Sequence, residues 1–382
     1  MKHECYSVNT TATKLVGHIL TPQGFICGAI SFSDAGRITD ISGDAVATSV
    51  VRDAAWPIIL PGFIDSHVHG GAGRDIMEGG DAAASVTKIH ARHGTTSLLA
   101  TTMTAPMCDL QTAFAALAPF YKNRDKNAAR LLGVHLEGPY INAGKLGAQP
   151  DFARPVAVDE LKLLNDIAPI RLITLAPEVA GNMALIAPLV AAGYIVQIGH
   201  SAGSYEEGVA ALAQGAAGFT HLFNAMSGLH HRKPGMAGAA LAHAEYAEII
   251  PDLLHVHAGA MHVALRAIPK LFCVTDSTSA TGMPDGEYRL GRNTVTKCLG
   301  GVRLADGTLA GSTLTMDQAL CNLVNELALD LQDASRRLST HAADYLRIAD
   351  RGRLAVGAWA DIVVLNRELS LTDVYVEGVV VK

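Results

Sequence analysis

The sequence predicts an α/β fold: a (β/α)8 TIM-like barrel with a small β-sandwich domain formed by both chain termini. Three observations predict it. The middle of the 382-residue chain alternates apolar, strand-like runs with Ala-rich helical stretches, the rhythm of a parallel sheet wrapped by helices. Hydrophobic residues make up 49% but aromatics only 5%, so the apolar content is aliphatic, as in strands buried on both faces. The two ends share a different texture of short strands and turn signals.

The first 57 residues contain KLVGHIL, GFICGAISFS, the turn Asp34-Ala35-Gly36 and RITDISG. After the turn-like GRLAVGAWA, the last thirty or so residues resume that style in ADIVVLN and DVYVEGVVVK. The expected division is a small β-sandwich domain of residues 1–57 and 350–382 around a barrel of residues 58–349. The barrel strands, in order, are IILPGFIDSHVH, TTSLLATTMT, RLLGVHLEGP, IRLITLAPE, YIVQIGH, AGFTHLFNA, AEIIPDLLHV and KLFCVTDS. Helices between them include AAASVTKIHARHG, LQTAFAALAPFYKN, VDELKLLNDIA, MALIAPLVAAG and YEEGVAALAQG, with apolar residues three and four apart. An open doubly wound sheet is the competing architecture. No GxGxxG follows the first strand, which weakens its dinucleotide-binding version.

Composition narrows the function classes. The net charge of −6 comes without acidic or basic blocks, so nothing argues for nucleic acid, while an anionic substrate held by a few local cations remains compatible. Cys5, Cys27, Cys108, Cys273, Cys298 and Cys321 show no CxxC spacing and read as buried or incidental thiols. The opening MKHECYSVNTTATKLVG lacks a long apolar stretch, and no later run reads as a membrane span of about 20 residues. A cytoplasmic protein with no membrane partner is expected.

In a (β/α)8 barrel, chemistry sits at the C-terminal ends of the strands. Polar residues collect there: His67 and His69 end the first strand, Glu137 the third, His200 the fifth, His221 the sixth and Asp276 the eighth. His67 and His69 are two apart, so on a strand both rings take one face. A lone strand-end histidine is usually a hydrogen-bonded surface residue, but six imidazoles and carboxylates at five ends form a ligand set for Zn²⁺, with Fe²⁺ or Mn²⁺ as alternatives. We expect Glu137, His200 and His221 to hold one ion. His67, His69 and Asp276, with Glu137 as a bridge, form the place for a second. Asp276 also suits a proton shuttle to a leaving amine.

PGFIDSHVHGG, HLEGPY, GHSAGS, THLFNAM, VTDS and GRLAVGAWADIVVLN, in that order, resemble the amidohydrolase superfamily and in particular the N-acetylglucosamine-6-phosphate deacetylases. The resemblance implies a deformed barrel with a terminal β-sandwich, a homodimer, and metal-dependent removal of acetate from the 2-acetamido group of an amino-sugar phosphate. It carries metal ligation to Glu137, His200 and His221, and general acid/base work to Asp276. It carries phosphate contact to Asn224, Ala225 and Arg232, the last reaching the neighbouring subunit's site. Further substrate contacts fall on His255, Ala148, Gln149, Leu309, Ala310 and Gly311. By composition alone, His230-His231-Arg232-Lys233 reads as a solvated loop, and His257 and His262 cover a helix or loop.

Two positions depart from the family. Gln149 stands where a histidine usually polarises the substrate carbonyl, and an amide can donate but cannot become cationic. Leu253 in IPDLLHVH stands where glycine is common. GLHHRKPGMAG, HVHAGAM and GMPDGEYRLG resemble the N-acetylgalactosamine-6-phosphate deacetylases at least as well, leaving the sugar epimer open. Other readings are a different metal amidohydrolase or a catalytically silent binding protein on this barrel. LITLAPE ends in Glu178 rather than lysine, which disfavours the carbamylated-lysine hydrolases.

Overall fold

The computed structural model describes residues 13–53 and 55–382, so Cys5 lies outside the described residues. Strands β1 (Thr13–Thr21), β2 (Gly24–Phe32) and β3 (Ile38–Ala45) form an antiparallel meander. β4 (Ile58–Pro61) then pairs parallel with β1. One residue later, β5 (Phe63–Val68) opens the barrel.

The run IILPGFIDSHVH is therefore two strands in two sheets, which corrects the expected boundary: residues 58–61 belong to the terminal sheet. Gly62 makes the crossing. Its N–H donates to the Asp361 carbonyl at 2.8 Å, and a Cβ on it would lie 2.2 Å from the Thr96 side chain. Both halves are wholly buried, so hydrophobicity alone could not separate them.

A small hairpin, β6 (Gly70–Gly71) and β7 (Arg74–Asp75), follows. β8 (Thr95–Thr102), β9 (Arg130–Glu137), β10 (Ile170–Leu175), β11 (Ile195–Ile198) and β12 (Gly218–Phe219) then join β5 in a parallel sheet of order β12-β11-β10-β9-β8-β5. β13 (Tyr246–Ile249) and β14 (Lys270–Cys273) form a separate parallel pair. Backbone hydrogen bonds outside the named ladders close the barrel around them. Leu222 N–H donates to the Glu248 carbonyl at 2.8 Å on one side, and Asp276 N–H to the His67 carbonyl at 3.0 Å on the other. The eight expected strands are thus all present, in a deformed barrel.

The five expected helices are present, as Ala82–Arg92, Met107–Lys122, Val158–Ile167, Asn182–Ala191 and Tyr205–Ala213. The last starts in a capping box in which Ser204 and Glu207 satisfy each other's backbone N–H.

After β14 the chain adds a three-stranded antiparallel sheet, β15 (Gly286–Leu290), β16 (Asn293–Cys298) and β17 (Gly301–Arg303). Its Leu290, Val295 and Val302 pack on Met103, Ala280 and Ala310. The chain then returns through β18 (Ile362–Leu365), β19 (Leu371–Val376) and β20 (Val379–Val380) to complete a seven-stranded sheet of order β20-β19-β18-β4-β1-β2-β3. This is one continuous sheet that curls into a sandwich-like layer: Phe32 of β2 meets Tyr375 of β19, ring centroids 5.5 Å apart. Ile19, Ile30, Phe32, Ile59 and Ile362 form its own hydrophobic cluster.

Where the sheet meets the barrel, the Glu377 carboxylate accepts from Arg124 at 3.0 Å, from Arg130 at 2.8 Å and from Arg351. Among the described residues no helix is long and apolar enough to cross a membrane. Cys27, Cys108, Cys273, Cys298 and Cys321 are all free thiols.

Candidate metal centre and active site

The strand ends converge on Glu137, the last residue of β9. Its Oε1 lies 2.9 Å from His200 Nε2 and 3.0 Å from His221 Nε2. Its Oε2 lies 3.1 Å from His69 Nε2 and 3.4 Å from His67 Nε2. Each carboxylate oxygen therefore serves one histidine pair. Asp276 Oδ1 completes the second group, 3.3 Å from His69 Nε2 and 3.5 Å from His67 Nε2. All six residues are buried.

The donor set fits divalent cations. His200 Nε2 and His221 Nε2 approach to 3.1 Å, and His67 Nε2 and His69 Nε2 to 3.2 Å. Paired ring nitrogens facing one carboxylate oxygen cannot all satisfy one another by hydrogen bonds, whereas a cation shared among them satisfies every lone pair. Two triads, Glu137-His200-His221 and His67-His69-Asp276, each bring ligand atoms within 4.8 Å of one another. The backs of two rings are held: His200 Nδ1 donates to the Lys145 carbonyl at 2.7 Å and His67 Nδ1 to Glu248 at 3.1 Å.

Burial opposes charge on Asp276, His69 and Glu137, yet their neighbours hold these three ionised. The Asp276 carboxyl is drawn down to about 2 against its own burial, chiefly by His67 and His69. His69 is raised to about 9 because Asp276 and Glu137 outweigh its desolvation. Glu137 lies well below the usual carboxylate range despite complete burial, under the pull of His67, His200 and His221.

The backbone is strained here as well. His200, His221 and Asp276 have φ of 47°, 25° and 50°, left-handed conformations that cost a non-glycine residue about 1–3 kcal/mol and cluster at functional sites. Leu253, at the position where the family resemblance expects glycine, has φ 64°, the region glycine occupies without a Cβ penalty.

A cavity of about 220 Å³ opens onto this centre. Of the expected site residues it is lined by His69, Glu137, His200, His221 and Asp276, by Ala148, Gln149, Asn224 and Ala225, and by His255, Leu309 and Gly311. His67 stands one layer behind, in contact with the same carboxylates. Ala310 is turned away, packed with Leu290 and Val302 under the three-stranded sheet.

Arg232 is exposed and lines a separate groove with Ser204 and Lys233 rather than this cavity. Gln149 is buried and anchored at both ends. Its Oε1 accepts from the Thr104 N–H at 2.6 Å and its Nε2 donates to Glu137 Oε2 at 2.6 Å. His255 Nδ1 is fixed by Asp252 at 2.6 Å. His257 caps the helix Ala258–Ala267 by accepting from Gly259 N–H, consistent with its reading as a structural histidine.

The sequence reading missed the lining residues Met103, Gly147, Leu290 and Thr308. Met103 and Leu290 belong to the packing of the three-stranded sheet, whose alternation in GEYRL and NTVTKC was the available signal. It also missed Glu248, a lone acid inside the buried strand β13.

Barrel, curled terminal sheet and strand-end ligand set define a known class: the amidohydrolase family, whose model matches residues 58–381, and the chain belongs to it. More particularly, it belongs to the N-acetylglucosamine-6-phosphate deacetylase branch. It is 39% identical over 327 residues to the N-acetylglucosamine-6-phosphate deacetylase of Vibrio furnissii, covering 84% of this chain and 82% of that one. It is 37% identical to the N-acetylgalactosamine-6-phosphate deacetylase of Escherichia coli O157:H7, covering 86% and 88%. The crystal structure of N-acetylglucosamine-6-phosphate deacetylase from Thermotoga maritima superposes with a TM-score of 0.88 at 30% identity, over 97% of this chain and 99% of the other. A mutant of the Mycobacterium smegmatis enzyme, solved in complex with N-acetyl-D-glucosamine-6-phosphate, superposes equally well, with a TM-score of 0.88 at 32% identity over 97% and 99%.

Proposed function

We propose that the chain hydrolyses N-acetylglucosamine 6-phosphate to glucosamine 6-phosphate and acetate, as a cytoplasmic, metal-dependent deacetylase. The observation that carries this reading is the convergence of two histidine pairs on the two oxygens of Glu137, beside Asp276, at the floor of one cavity. Glu137, His200 and His221 would hold the first ion. His67, His69 and Asp276, sharing Glu137, would hold a second. Zn²⁺ suits the imidazole and carboxylate donors. A divalent cation there supplies Lewis acidity, polarising the amide carbonyl and acidifying the attacking water.

The chain's own groups do the rest. Asp276, held ionised at neutral pH, accepts the proton of the attacking water as its oxygen adds to the acetyl carbon. When the C–N bond breaks, the same proton passes from Asp276 to the departing sugar nitrogen, giving the amine and acetic acid, whose remaining proton is lost to the amine or to solvent to leave acetate. Asn224, Ala225 and His255 line the cavity and are assigned to the sugar phosphate.

Among the described residues no lysine or arginine lines the cavity, which supports completion of the phosphate site by Arg232 from a second copy in a homodimer. An arginine fork matches phosphate oxygens. The curled terminal sheet with its own hydrophobic cluster supports the division into a small terminal domain and a catalytic barrel.

The test is acetate release from N-acetylglucosamine 6-phosphate and from its galactose epimer in parallel, with metal content measured on the same sample. We expect turnover that a chelator abolishes and Zn²⁺ restores. Asp276→Asn should lower kcat by about 10²–10⁴-fold with the fold retained. Chelator-resistant turnover, or wild-type kcat in Asp276→Asn, overturns the mechanism. A kcat/KM at least tenfold higher on the galactose epimer overturns the choice of sugar.

A further inference from the structure

Glu248 is fully buried on β13, in a barrel interior where a carboxylate is costly unless hydrogen-bonded. Its partners are specific. Oε1 accepts from Ser66 Oγ at 2.9 Å. Oε2 lies 3.1 Å from His67 Nδ1 and accepts from the His221 N–H at 3.4 Å. One carboxylate therefore ties the first strand to the residue that ends the sixth. His67, Glu248 and His135 also cluster closely enough to suggest a further metal triad. Both nitrogens of His135, however, are taken by Thr101 at 3.3 Å and Thr174 at 2.7 Å, so no ring nitrogen is left for an ion.

We infer that Glu248 is the positioning residue of the His67 half-site: as acceptor from His67 Nδ1–H, it fixes the ring so that Nε2 and its lone pair face His69, Asp276 and Glu137. An ionised carboxylate offers acceptors only, so the nitrogen facing it carries the proton and the opposite nitrogen is free to ligate. The two histidine pairs are not equivalent in this respect. His200 is steered by a neutral carbonyl, that of Lys145, and His67 by a full negative charge, which makes its ring the stronger electron donor. The Oε2 contact to the His221 N–H then registers this steering against the strained end of the sixth strand.

The inference rests on the two-ion reading, and the test separates them. Apo-protein is titrated with Zn²⁺, for the wild type and for Glu248→Gln, with thermal unfolding recorded on the same samples. The amide keeps the size of the side chain but leaves a single acceptor oxygen for Ser66 and His67. We expect two ions per wild-type chain. In Glu248→Gln the weaker site should lose 10–100-fold in affinity, the usual consequence of removing such a partner, while the tighter site changes by less than about threefold.

A second readout needs no variant. Long-range ¹H–¹⁵N spectra of the zinc-loaded wild type should show the His67 proton on Nδ1. Unchanged binding at both sites in Glu248→Gln, equal loss at both, or an Nε2–H tautomer at His67 overturns the inference and leaves the deacetylase reading standing. A wild-type stoichiometry of one ion overturns the two-ion reading and the inference with it.

Discussion

Replacing Gln149 with leucine separates two jobs that its amide could do. Leucine keeps the volume of the glutamine stem and removes both anchored contacts. The buried Thr104 N–H loses its acceptor at 2.6 Å, and orphaning such a donor costs about 1–3 kcal/mol. Glu137 Oε2 loses its amide donor at 2.6 Å, and a hydrogen bond to a charged group contributes about 1.5–3 kcal/mol. The two losses share one side chain and one relaxed pocket, so their sum is a ceiling. We expect folding stability to fall by about 2–4 kcal/mol.

Glu137 is also expected to wander, lowering metal affinity by about 10–100-fold. The assays are denaturant unfolding, Zn²⁺ titration and kcat at saturating Zn²⁺. If Gln149 acts as an anchor, kcat recovers to within a few-fold once the metal is saturating. If its remaining N–H donates to the reacting carbonyl, kcat stays down by about 10²–10³-fold. Wild-type stability and wild-type metal affinity in Gln149→Leu would refute the anchoring argument outright.

If Arg232 completes the phosphate site, Arg232→Ala should raise KM for the sugar phosphate by about 10–100-fold with kcat little changed, since charge-assisted bonds to the phosphate act far from the reacting carbon. Mixing Arg232→Ala with Asp276→Asn chains tests where that arginine acts. Recovery of wild-type KM in the mixture places it in trans, on a second copy, and no recovery places it in cis. Glu377→Gln addresses the ion cluster between sheet and barrel. Burial raises the Glu377 carboxyl, but Arg130 and Arg351 prevail and hold it at about 2, below its ordinary 4.5. Its contribution is therefore present above pH 4.5 and lost as pH falls towards 2. The shift corresponds to about 3 kcal/mol at most, and solvent screening at the cluster brings the expected loss nearer 1–2 kcal/mol at pH 7. Asp361, raised by burial, titrates in the opposite sense and blunts the profile. Equal stability of Glu377→Gln and wild type at pH 7 would contradict the argument.

Much of the centre is legible because strand ends advertise it. His67, His69, Glu137, His200, His221 and Asp276 each terminate an apolar run, and a barrel gathers such termini at one mouth. The helices were legible for a related reason, each burying one stripe at helical spacing. What escaped was whatever depends on contacts distant in sequence. IILP and FIDSHV are equally buried, so only pairing partners reveal that they lie in different sheets. Glu248 looks like an isolated charge in a strand until His67, 181 residues away, is seen against it. Ala310 and Gly311 are adjacent, but Gly311 faces the cavity while Ala310 packs under the three-stranded sheet.

The crossing at Gly62 ties the fate of the two sheets together. β4 is pinned between β1 and β18, and after the single residue Gly62 begins the strand that carries His67 and leads directly into His69. There is no slack linker to absorb motion between them. Melting of the terminal sheet would pull directly on one histidine pair, and ions gripped by that pair would in turn resist the melting. Calorimetry should therefore record one cooperative transition for sheet and barrel, moving upward as a whole when Zn²⁺ is added.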